Sequence, residues 1–92
     1  MTVKEYEQLI GNKLVTAYND EDMAAVMPTF KGADQTLESN KFSSAERKDF
    51  WEEVRKVVDS GKLLLRKQAN SALILLMQTI EKEIAARTGK AQ

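Results

Sequence analysis

The chain has 92 residues, of which 42% are apolar and 30% are charged, and its formal net charge is zero. This length and composition are typical of a single folded globular domain covering residues 1–92. Cysteine and histidine are both absent. Their absence excludes disulfides, thiolate nucleophiles, cysteine-ligated zinc and histidine acid–base catalysis. We therefore predict a protein that is not an enzyme and that uses no metal or cofactor.

Charge is unevenly distributed along the chain. Residues 20–53 carry nine acids against four bases, whereas residues 54–92 carry eight bases against three acids. Either the two halves neutralise each other in the fold, or the basic half offers a face to an acidic partner. The first residues lack the apolar segment of a secretory signal, and the longest apolar run, residues 72–77, is too short to cross a membrane. We expect a cytoplasmic protein that does not bind membranes.

The first helix has a clear start. Thr2 and Glu5 have the spacing of a capping box, which predicts a helix from Val3 to about Tyr18. Gly11 falls inside this helix, where a missing side chain can let another backbone come close.

The segment after this helix is harder to interpret. A second helix is predicted from Glu21 to Met27, ended or kinked by Pro28, although Pro28 could instead begin another turn. Gly32 suggests a further break. Residues 29–43 are therefore the longest candidate loop, with a short helix over residues 33–38 or a small β-hairpin as alternatives.

A second capping box, Ser43 and Glu46, predicts a strong helix with Trp51 at the margin of its apolar stripe. The stripe continues in phase beyond Gly61. One helix from residue 44 to residue 87 would be about 65 Å long, too long for a domain whose radius of gyration should be about 12 Å. We therefore predict a break near Gly61.

The final helix contains an apolar run, residues 73–77, that covers its whole circumference. Such a helix is either central in the fold or shares a face with a second chain. Arg87 and Gly89 are typical of a helix C-terminus. The predicted fold is all-α, a bundle of three to five helices with a long central C-terminal helix.

Two groups of charged residues suggest ligands. Asp20, Glu21 and Asp22 could hold a hard cation, but acids that favour a helix N-terminus are the better explanation of this group. A calcium loop counted from Asp20 would end at Lys31, where a glutamate is required. Basic side chains cluster between residues 55 and 67 and could contact phosphates, which makes a nucleic-acid-associated protein one alternative function.

Protein binding is the function that the sequence favours. In size and helical content the chain is similar to bacteriocin immunity proteins and to small phage-encoded inhibitors, including anti-CRISPR proteins. That similarity implies a compact inhibitor, adaptor or chaperone that occludes a larger protein or nucleoprotein complex. A structural homodimer is a further alternative. The predicted partner-binding residues are Trp51, Arg55, Lys62, Leu63, Arg66, Ile74 and Leu75. For Trp51, packing in the core is the alternative role, and the one that the sequence favours.

Overall fold

The computed structural model describes residues 1–65 and 71–89, and of residues 62–65 it describes the backbone alone. Within these ranges the secondary structure is entirely helical, without strands. The molecule measures 39 × 30 × 21 Å, with a radius of gyration of 12.8 Å, so the prediction of a small all-α bundle is confirmed. The described residues form four helices, α1 (Val3–Asn19), α2 (Met23–Ser39), α3 (Ser44–Leu65) and α4 (Ser71–Thr88).

Both predicted capping boxes form, at the starts of α1 and α3. Glu5 N–H donates to Thr2 Oγ1 at 3.1 Å, and Thr2 N–H donates to Glu5 Oε1 at 2.9 Å. Likewise, Glu46 N–H donates to Ser43 Oγ at 3.2 Å, and Ser43 N–H donates to Glu46 Oε1 at 2.8 Å. These bonds satisfy amide groups that a helix N-terminus otherwise leaves without partners.

Helices α1 and α2 end in the same way, with a left-handed residue that is not glycine. Glu21 has φ of 53° and Lys41 has φ of 58°. After Lys41, the N–H of Phe42 donates to the carbonyl of Leu37 at 3.1 Å, and the N–H of Asp22 makes the corresponding bond after Glu21. This is the Schellman arrangement, which reverses the chain and satisfies the last carbonyls.

The predicted helix after Asp20 is present, but its predicted end at Pro28 and the break at Gly32 are wrong, because α2 begins at Met23 and continues through both residues to Ser39. There is neither a long loop nor a hairpin here. Pro28 is exposed, and Thr29 Oγ1 donates to the Ala25 carbonyl at 2.8 Å. Neither Pro28 nor Gly32 lies on the buried side of α2, which consists of Val26, Phe30, Ala33 and Leu37.

The predicted break does not fall at Gly61 itself, since Gly61 lies inside α3, which continues to Leu65. The lack of a side chain at Gly61 serves packing instead. A Cβ atom built at Gly61 would lie 2.5 Å from Val15 Cγ2 in α1. The alternative of a single rod from residue 44 to residue 87 is excluded as well, because α3 and α4 pack against each other.

In the described part of the chain, α1 and α3 make the most extensive contact of any two helices. Gly11 faces Val57, and a Cβ atom built there would lie 2.4 Å from Val57 Cγ1. The predicted close approach at Gly11 is therefore confirmed. Tyr6 contacts Phe50 near the beginning of both helices, with ring centroids 5.6 Å apart, and the Gly61 contact lies near their ends. Helices α1 and α3 thus run parallel, with α2 between them in sequence.

The core is formed by all four helices, and its largest buried side chain is Trp51. Helix α4 packs mainly on α3, with smaller contacts to α1 and α2. The long central C-terminal helix of the prediction is therefore not confirmed. Helix α3 is longer than α4, and α4 keeps one side at the surface.

Candidate docking surface on the fourth helix

Helix α4 has one buried and one exposed side. Five apolar side chains on one side belong to the core: Leu73, Leu76, Met77, Ile80 and Ile84. Since each residue advances a helix by about 100°, Ile74 and Leu75 point away from this stripe. They are 49% and 58% exposed.

The α4 outer face is the exposed strip that contains these two residues. Its members lie within about 100° of one another around the helix: Ser71, Ile74, Leu75, Gln78 and Lys82. Lys82 is the one charged member of the five, and Glu81, which is also exposed, borders the face about two turns after Ile74. The face is thus a convex ridge with little charge and two branched apolar side chains at its N-terminal half.

Trp51 was predicted as a partner contact, but the structure places it in the core at 1% exposure. Its ring meets Phe50 edge-on at 5.1 Å and Phe30 at 5.3 Å. A side chain enclosed in this way offers no surface to a partner. Trp51 directly follows Phe50 in α3, and both side chains lie on the side of the helix that faces the core.

The basic cluster is partly engaged within the chain. Arg55 is half-buried, and its Nη2 donates to Thr88 Oγ1 at 3.2 Å. Lys56 forms an ion pair with Glu53 at 3.0 Å. The side chains of Lys62 and Leu63, and the whole of Arg66, lie outside the described residues. Four of the seven predicted partner-binding residues have described side chains. Ile74 and Leu75 are exposed, Arg55 is half-buried and Trp51 is buried.

Arg87 forms the strongest polar cluster in the described part of the chain. Its Nε and Nη2 donate to the Asp34 carboxylate, the latter at 2.7 Å, and its Nη1 donates to the Glu83 carbonyl and carboxylate. The guanidinium also lies 4.7 Å from the Phe30 ring centroid and 5.3 Å from that of Trp51. Because four of its five N–H groups are used, Arg87 fastens α4 to α2 and has little capacity left for a ligand.

A shallow apolar groove lies where α1 begins, α2 ends and α3 begins. It encloses about 340 Å³, and polar atoms at its edge come from Thr2, Thr36 and Asn40. Its apolar lining consists of Met1, Val3, Tyr6, Leu37, Phe42 and Phe50. Sequence analysis missed this groove, because it is assembled from three segments that are distant along the chain.

Acidic side chains gather along the seam between α1 and α3. Partial burial, and then the charges of Glu53 and Asp49, raise the pKa of Glu7, while Lys4 and Lys56 oppose this effect. The seam is therefore a site of electrostatic repulsion within the fold. The seam is not a metal site. Among residues 1–65 and 71–89, no group of three or more acidic side chains is placed to hold a metal ion. This result also applies to the predicted candidates Asp20, Glu21 and Asp22.

Comparison with known proteins gives no relative. No family model, no curated protein and no solved structure matches this chain. In the part of the chain that the structure describes, none of the helices combines the length and apolar character that crossing a membrane requires. Inference about function therefore rests on the residues of this chain alone.

Proposed function

We propose that this chain is a non-enzymatic protein-binding module that docks through the α4 outer face on a larger protein or nucleoprotein complex. By covering part of that partner it acts as an inhibitor, adaptor or chaperone. The observation that carries the proposal is the exposure of Ile74 and Leu75 side by side on a ridge with little charge. Apolar side chains in the centre of an interface, with polar residues around them, are the usual arrangement of docking surfaces.

The size of the ridge favours a larger partner over a second copy of this chain. Burying the exposed half of Ile74 and Leu75 contributes about 2 kcal/mol in total, whereas association costs at least about 4 kcal/mol. Stable interfaces bury about 800 Å² on each partner. Two convex ridges meet over a narrow strip, while a concave partner surface also covers the residues on both sides of the ridge.

Nothing in the described part of the chain favours the nucleic-acid alternative. Arg55 and Lys56, the two described members of the basic cluster, both have partners within the fold. A phosphate-binding role would have to compete with these contacts. A salt titration would still recognise such a role, because phosphate contacts give affinities that fall steeply with salt.

The proposal is tested by affinity purification from the native host with three forms of the chain. The first is the wild type, and the second is the double variant Ile74→Ser/Leu75→Ser. The third is a matched control, Leu9→Ser/Met23→Ser, which removes two apolar side chains of 37% and 38% exposure from α1 and α2. Circular dichroism first establishes that all three forms fold.

We expect one protein to be retained by the wild type and by the control and to be lost with the α4 variant. Measured afterwards with the purified partner, the α4 variant should bind about thirtyfold more weakly, which corresponds to about 2 kcal/mol. Equal retention of the partner by all three forms would refute the α4 outer face as the docking surface. Sedimentation of the wild type as a dimer at micromolar concentration, abolished by the α4 variant, would replace the proposal with the structural homodimer.

A further inference from the structure

We draw no further inference here: the strongest candidate, the apolar groove where α1 begins, α2 ends and α3 begins, carries nothing because nothing in the described part of the chain shows what covers it.

Discussion

Replacing Gly11 with alanine tests the close approach of α1 and α3. The new Cβ atom would lie 2.4 Å from Val57 Cγ1 and 2.6 Å from Val57 Cβ, whereas carbon atoms in contact stay about 3.5–4.0 Å apart. Because Val57 Cβ is bonded directly to the α3 backbone, a change of rotamer cannot relieve the clash. The two helices must separate by on the order of 1 Å.

Two opposing effects, overpacking and helix propensity, determine the expected change in the free energy of unfolding. Overpacking of a core contact destabilises a protein by about 1–3 kcal/mol, and a clash with the Cβ atom of Val57, which cannot move without the α3 backbone, belongs at the upper end. Alanine also regains about 1 kcal/mol of helix propensity relative to glycine. We therefore expect Gly11→Ala to lower the free energy of unfolding by about 2 kcal/mol.

Gly32 provides the matched control, since it too lies inside a helix but is exposed. Apart from the backbone of its own helix, a Cβ atom there meets nothing within 4 Å. The substitution therefore changes only the helix propensity. Gly32→Ala should raise the free energy of unfolding by about 1 kcal/mol. The same chemical change is thus expected to have opposite signs at the two positions.

Gly61 extends the test to a rescue experiment. A Cβ atom there clashes with both γ-methyl groups of Val15, at 2.5 and 2.9 Å, but lies 3.3 Å from Val15 Cβ. Val15→Ala removes the two methyl groups, so the double variant Val15→Ala/Gly61→Ala should be more stable than the two single effects added together. Val57→Ala should rescue Gly11→Ala less, because the Val57 Cβ atom remains.

Urea unfolding followed by far-ultraviolet circular dichroism measures these differences as shifts in the midpoint at constant slope. If Gly11→Ala stabilised the protein as much as Gly32→Ala does, the close contact between α1 and α3 would be refuted.

Three further predictions concern single side chains, each measured by chemical or thermal unfolding. Lys41→Gly should raise the free energy of unfolding by about 1 kcal/mol, because glycine adopts the left-handed conformation without strain; a loss of stability would contradict this. Glu7→Gln should stabilise the protein at neutral pH, because burial and two nearby acids raise the pKa of Glu7 in the folded state. That gain should disappear below the ordinary pKa of glutamate, where both states bind the proton; a gain that persists in acid would refute its electrostatic origin. Arg87→Met should destabilise by about 2 kcal/mol, since it removes a cation–π contact and leaves Asp34 without its guanidinium partner; an unchanged midpoint would contradict the fastening role of Arg87.

Local signals in the sequence predicted the starts of helices well. The capping boxes that begin with Thr2 and Ser43 involve residues three apart, so their bonds depend on neighbours that the sequence displays directly. The helix breakers were less reliable. Pro28 and Gly32 weaken a helix locally, but residues 26, 30, 33 and 37 repeat at helical spacing and are all buried, and this tertiary burial outweighs the local cost.

The surface of the molecule could also be predicted only in part, because it too depends on tertiary contacts. The apolar run of α4 left open whether the helix is buried on all sides or keeps an apolar side at the surface, and in the fold Ile74 and Leu75 lie at the surface. The sequence left Trp51 either as a core residue or as a partner contact, and its burial between the rings of Phe30 and Phe50 decides for the core. The groove at the start of α1 depends in the same way on contacts between segments that are distant in sequence.

The parallel arrangement of α1 and α3 has a consequence for how the chain folds. The close contact between α1 and α3 joins residues 11 and 57, and the whole of α2 lies between them in the chain, so it forms only after α3 has come back to α1. Neither the α1–α2 hairpin nor the α3–α4 hairpin contains this contact. Each hairpin alone would therefore leave its share of the core open to water. The core can therefore close only when the two hairpins come together.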